Sequence, residues 1–195
     1  MAGCLTLSLI SKFEAKYVTN HECIFTKNKQ KGTRRMNVNF INPVLASMLN
    51  VLTTMAHIEP KVGAPKIKDK NAFVQGKNIT GVMSMVGSRG NASIALTFSE
   101  AAIVHIAKNM LPGEISKIDG MVIDLVGELA NMVLGGAKTT LESGGYFFTL
   151  SLPTIILGSD YLIAHKTNAP IIVLPFTMPE GEFIVEAGYE EISSK

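Results

Sequence analysis

Ile79-Thr80-Gly81-Val82-Met83-Ser84-Met85-Val86 and Ala92-Ser93-Ile94-Ala95-Leu96-Thr97-Phe98, joined by Gly87-Ser88-Arg89-Gly90-Asn91, decide the fold class. In the second run Ala92, Ile94, Leu96 and Phe98 alternate with Ser93, Ala95 and Thr97, the period of a strand with one buried face. A glycine-bounded polar connector between two such runs reads as a hairpin turn. It does not read as a phosphate loop, because no helix follows it directly.

Working outward, Asn42-Pro43 looks like a helix opening, an acceptor side chain before a residue that fits the first helical position. Val44, Leu45, Met48, Val51, Leu52 and Met55 continue it as an amphipathic helix ending near Glu59-Pro60. A short extended piece over 61–67 and a polar loop over 68–76 lead into the hairpin. Beyond it, Ser99 can cap a helix to about Met110, stopped by Leu111-Pro112-Gly113. Ser116 with Asp119 resembles a capping box that opens a longer helix to about Glu142, stopped at Gly144-Gly145. Strand-like runs follow over 146–152, 155–157, 161–166, 171–177 and 183–189. Met178-Pro179-Glu180-Gly181-Glu182 joins the last two, and Pro175 suggests an edge strand or a bulge. Helix, short strand and hairpin thus recur in the same order. The expectation is an α+β fold of two pseudo-repeated helix-strand-hairpin halves, forming a β-sheet layer packed with helices.

The chain has 195 residues, 47% of them hydrophobic and 17% charged, enough apolar material for one core and too much for a disordered chain. Its net charge of +2 is unevenly spread. Residues 1–36 carry seven basic and two acidic side chains; residues 37–195 carry eleven and fourteen. Cys4 and Cys23 also lie in the first part. We therefore divide the chain into a basic leader, 1–36, and a single domain, 37–195. The leader reads either as a basic arm or as sequence upstream of translation starting at Met36, the expectation favoured here. The acidic, cysteine-free body suits the cytoplasm and shows no basic footprint for nucleic acid. Membrane insertion is not expected, since no uninterrupted apolar stretch reaches the roughly 18 residues of a span.

On the long helix, Ile118, Val122, Leu125, Leu129, Val133, Gly136 and Ala137 supply the core stripe. Asp124, Glu128, Asn131, Gly135, Lys138 and Glu142 recur at steps of three and four on the opposite side, one polar column. Gly127, Gly135 and Gly136 each cost up to roughly 1 kcal/mol relative to alanine inside a helix, which calls for compensation. Gly136 can allow close packing; Gly135 leaves a gap beside Asn131 where another molecule's backbone could approach. By spacing alone a Glu and an Asn on an exposed face are ordinary solvated residues. His57, His105 and His165 show no metal-ligand spacing, and no Gly-x-Ser-x-Gly elbow marks a serine nucleophile.

The longer string Asp124-x-x-x-Glu128-x-x-Asn131, continued as Met132-Val133-Leu134-Gly135-Gly136-Ala137-Lys138 and followed after 21 residues by Pro153, resembles the signature of the CheX branch of the CheC/CheX/FliY chemotaxis phosphatases. Similarity extends to Ile41-Asn42-Pro43, Ile58-Glu59-Pro60, Ser99-Glu100, Gly127-Glu128-Leu129 and Pro170-Ile171-Ile172-Val173, covering nearly all of 37–191. The resemblance implies a protein phosphatase that removes the phosphoryl group from the aspartate of a phosphorylated CheY-like response regulator. It implies Glu128 and Asn131 as site residues, the glutamate engaging the receiver's lysine and the asparagine positioning water. No cofactor of its own is implied, the Mg2+ being supplied by the receiver domain. It also suggests a homodimer joined through strand edges. Asp124 is not assigned a catalytic role, and Pro153 is assigned to shaping the strand region beside the site. In the first half, Ser47-Met48-Leu49-Asn50 has the asparagine but a serine at the glutamate's place, so one site per chain is expected. The competing reading is a non-catalytic interaction module that binds a response regulator or a flagellar switch component through the same face.

Overall fold

The computed structural model describes residues 38–69 and 71–192, with side chains from Phe40 onward. The leader lies outside the described residues. Met36–Lys195 form one compact unit. In chain order its elements are α1 (Val38–Met55), β1 (Lys61–Val62), β2 (Lys66–Ile67), β3 (Val74–Gly87), β4 (Gly90–Ser99), α2 (Glu100–Met110), α3 (Gly120–Ser143), β5 (Phe148–Leu150), β6 (Thr154–Tyr161), β7 (Ile172–Met178) and β8 (Gly181–Glu191).

The expected hairpin is present and longer than its apolar core, pairing Ile79 with Phe98, Met83 with Ile94 and Gly87 with Gly90. Its turn is tight for a packing reason: a Cβ on Gly87 would lie 2.3 Å from the Phe147 carbonyl oxygen, and one on Gly90 2.5 Å from the Tyr189 hydroxyl. Among the described residues the strands join in one sheet, ordered β1-β7-β8-β4-β3-β5, with β2 also on β7 and β6 also on β3. All pairs are antiparallel. The two halves therefore exchange partners. The short strands of the first half flank the hairpin of the second, those of the second flank the hairpin of the first, and β4 meets β8 at the centre with Ile94 opposite Ala187. The duplicated order read from the sequence is thus a two-fold arrangement in space.

One face of this sheet carries Ile79, Met83, Ile94, Leu96, Phe98, Phe176, Phe183 and Val185, all buried; contrary to the expectation of one buried face, Ser93, Ala95 and Thr97 on the other side of β4 are buried as well. Phe176 stacks on Phe183 at 4.5 Å between ring centroids, and Phe98 lies 5.4 Å from the same ring. The helices cover this face. A Cβ on Gly81 of β3 would touch Val126 at 3.2 Å and Ala130 at 3.5 Å, so α3 rests directly on the hairpin. By length and composition α3 could cross a membrane. Its Val122, Leu125, Val126, Leu129, Val133 and Ala137 are instead buried in this core.

Four further expectations need correction. Helix α1 starts at Val38, ahead of Asn42, with Pro43 inside it. Proline near a helix start removes a single backbone donor, and burial of Phe40 holds the extra turn: its ring stacks on Tyr189 at 4.9 Å and meets Phe148 edge-on at 5.9 Å. The cap of α3 is Asp119, not Ser116; its carboxylate accepts from the Val122 N–H at 3.1 Å. A carboxylate at that position both caps the helix and faces the positive end of its dipole. The run 161–166 is not a strand. β6 ends at Tyr161, after Asp160 takes a left-handed φ of 55°, and the chain turns into a loop that crosses the sheet's other face. Pro175 is not on an open edge: β1 and β2 flank its strand, and it sits at the break between them, where its carbonyl accepts from Gly63 N–H at 2.8 Å.

Candidate active site

Helix α3 holds the polar column on a rigid base. Its buried stripe locks it against β3 and α1, its first turn is capped by Asp119, and its last turn ends at Gly144. Rotation about the axis is therefore fixed, and Asp124, Glu128 and Asn131 project into solvent. Lys138 and Glu142 of the same column pair with each other at 2.9 Å. Among the described residues, Asp124, Glu128 and Asn131 make no side-chain hydrogen bond or ion pair. An acceptor carboxylate and a bifunctional amide are thus presented together, one turn apart, with full hydrogen-bonding capacity in reserve.

The surroundings explain one of the three interior helix glycines, Gly136. A Cβ on Gly127 would sit 3.6 Å from Cγ of Pro153 and 4.0 Å from Cδ1 of Ile155, so the start of β6 nestles against α3 immediately beside Glu128. Pro153 thereby stands against α3 beside the candidate pair. A Cβ on Gly136 would meet Ser47 Oγ of α1 at 2.4 Å, so this glycine serves the helix crossing. That contact also turns Ser47 toward α3, while Asn50 remains exposed on α1. The first half thus lacks both the carboxylate and an open face at the glutamate's place. Next to the site, Leu152 in the β5–β6 connection is 88% exposed, a feature without a signature in the sequence.

The sheet's other face holds a second polar cluster, which sequence reasoning missed. Glu186 on β8 is 2% exposed. Its Oε2 accepts from Lys68 Nζ at 2.7 Å and bonds His165 Nε2 at 2.8 Å; His165 Nδ1 bonds Ser93 Oγ at 2.9 Å, and Lys68 also donates to the Ile163 carbonyl at 3.1 Å. Burial works against ionisation of Glu186, but the hydrogen bonds from His165 and Lys68 outweigh it and hold the carboxyl below its ordinary value. Ser-His-Glu order suggests nucleophilic catalysis, but the arrangement argues against it. Ser93 is 5% exposed, and Lys68 neutralises the carboxylate that would have to stabilise an imidazolium. We read the cluster as the fastening of the 162–171 loop. Its four residues come from four distant segments with no spacing to betray them. Among the described residues, no three His, Cys, Asp or Glu side chains converge as a metal site would require.

Residues 79–177 match the family described as chemotaxis phosphatase CheX. The chain belongs to the CheX family. The matched CheX region contains Glu128, Asn131 and Pro153 together with the helix and strand that present them. The CheY-P phosphatase CheX of Thermotoga maritima is 28% identical over 148 residues, 73% of this chain and 90% of that protein. A CheC-like superfamily protein from Shewanella sp. PV-4 superposes with a TM-score of 0.73 at 43% identity, covering 80% of this chain and 99% of the other. CheX from Borrelia burgdorferi, solved as a complex with CheY, BeF3 and Mg2+, superposes with a TM-score of 0.61 at 23% identity over 79% of this chain and 98% of that one. The solved structures agree with the α+β architecture, and the family match with the Thermotoga maritima likeness makes the chain a member of a phosphatase family.

Proposed function

We propose that this chain hydrolyses the aspartyl phosphate of a phosphorylated CheY-like response regulator, using Glu128 and Asn131. The observation that carries this reading is the pair of unpartnered side chains held one turn apart on a rigid helix beside the Pro153 wall. The names of the relatives support it: one is a CheY-P phosphatase, another was solved bound to CheY.

The chemistry suits these two residues. An acyl phosphate is already activated, so in-line attack by water needs position and charge stabilisation more than a strong base. Water oxygen bonds to phosphorus, the phosphorus–carboxylate oxygen bond breaks, and the receiver's aspartate leaves as a carboxylate. Asn131 can accept from the attacking water through its carbonyl and donate to a phosphoryl oxygen through its amide, adding no negative charge. Glu128 is anionic and longer, fitted to pair with the receiver's lysine and so fix the approach. Magnesium comes with the receiver as part of the substrate. The test is phosphate release from a phosphorylated receiver with this protein in catalytic amounts. Multiple-turnover acceleration is expected; binding without acceleration would leave an interaction module.

The working form we propose is a cytoplasmic homodimer joined along β6. Among the described residues β6 is paired only with β3, leaving an eight-residue open edge, whereas the opposite side of the sheet ends in two-residue strands. Light scattering at micromolar concentration should give twice the chain mass, and a monomer mass would reject this. The domain boundary is also a proposal. A chain starting at Met36 should melt cooperatively at nearly the temperature of the full chain, and loss of folding would refute it.

A further inference from the structure

Beyond Gly120 at its first position, α3 carries three glycines in its interior, and packing calls for glycine at one of them, Gly136. A Cβ on Gly136 would meet Ser47 Oγ at 2.4 Å, whereas one on Gly127 would make ordinary contact with Pro153 at 3.6 Å. A Cβ on Gly135 would meet nothing within 4 Å. Alanine would therefore fit in the isolated chain and favour the helix, so packing within this molecule does not call for glycine there. Gly135 stands one turn beyond Asn131 on the same column, about 5–6 Å along it.

The length of asparagine supplies the missing reason. Its amide is one methylene shorter than the carboxylate of Glu128, so it reaches a phosphoryl group only if the backbone of α3 presses close to the partner's surface. A helix brought that near at position 131 is equally near one turn further on. Glu128 can span a wider gap, but position 135 has no such latitude.

We propose that Gly135 is a positioning residue, a flat spot on α3 against which the main chain of the phosphorylated receiver packs so that Asn131 reaches the phosphoryl group. This rests on the phosphatase reading above. A side chain at 135 holds the receiver off and weakens its engagement, while the helix itself gains.

The experiment compares wild type, Gly135→Ala and Gly135→Leu in three measurements: thermal melting, steady-state hydrolysis of a phosphorylated receiver, and titration against the same receiver activated by beryllium fluoride and Mg2+. Melting temperature should stay level or rise. KM and the dissociation constant should both increase, about tenfold for alanine and further for leucine, since overpacking a close contact costs affinity in proportion to size. Unchanged KM and affinity in both variants overturn the proposal, as does weakening that merely follows a lowered melting temperature. If wild type binds the receiver without hydrolysing it, the phosphatase reading fails. The titration then decides Gly135 by itself: graded weakening upholds the close contact, and equal affinity removes it.

Discussion

Replacing Asn131 with alanine is expected to cut receiver dephosphorylation by about a hundredfold or more, the scale set by losing orientation of a reacting group. The side chain is exposed and makes no hydrogen bond among the described residues, so its removal disturbs nothing in the fold. Alanine is also the better helix former, and the melting temperature should hold or rise slightly. Binding to a receiver activated by beryllium fluoride should survive, placing the loss in turnover rather than affinity. Glu128→Ala should behave differently. Loss of one charge-assisted bond corresponds to about 1.5–3 kcal/mol, so affinity should drop tenfold or more, with turnover falling too because the approach of Asn131 is no longer fixed. Full acceleration by the Asn131→Ala protein would sink the mechanism and leave the fold to a different catalytic residue or to a binding role.

The largest effect on stability belongs to the other face of the sheet. Glu186→Leu leaves Lys68, whose side chain is 6% exposed, as a buried cation without its carboxylate, and strands the His165 ring. Removing one partner of a buried pair costs about 3–5 kcal/mol, which in a domain of this size lowers the melting temperature by roughly 10 °C. Adding Lys68→Met should restore part of the loss, because the orphaned charge is then gone. Urea denaturation measures both. Equal stability of Glu186→Leu and wild type would show that the cluster does not fasten the loop.

The same carboxylate makes a pH prediction. Its folded pKa is depressed, so between the folded and unfolded values the unfolded chain binds more protons. The stabilisation it contributes is complete above the unfolded value and is lost as pH falls below about 4.5 through the folded one. Stability of wild type should therefore fall more steeply with acid than that of Glu186→Leu. Activity at neutral pH should be equal for the folded fractions of both, since Glu186 lies opposite Ala95 on the face away from α3.

Much of the candidate site was legible because its logic is local. A column at steps of three and four is a property of any helix, so Glu128, Asn131 and Gly135 could be placed on one face from spacing alone, and the family resemblance then supplied the chemistry proposed for the pair. Leu152 was not legible. An apolar residue in a connector looks the same whether it turns inward or, as here, stands 88% exposed beside α3. Pro153 was legible as a neighbour of the site through the family pattern, but its seat under Gly127 is a matter of how β6 lies on α3.

The same division runs through the fold. The strand at 92–98, the Ser99 cap of α2 and the apolar stripe of α3 act between residues a few positions apart and stand where local physics places them, but burial of Ser93, Ala95 and Thr97 on the strand's second face was decided by the tertiary structure. The start of α1 depended on an aromatic partner almost 150 positions away in Tyr189, which made a turn ahead of Pro43 worth forming. The end of β6 and the course of 162–171 depended on Glu186, Ser93 and Lys68 meeting over the sheet, a cluster with no period. Whether each short strand would join its own hairpin or the other half's was likewise decided by the assembled sheet, because antiparallel ladders offer the same hydrogen bonds to either and only the packing of both halves on one helical layer selects the exchange.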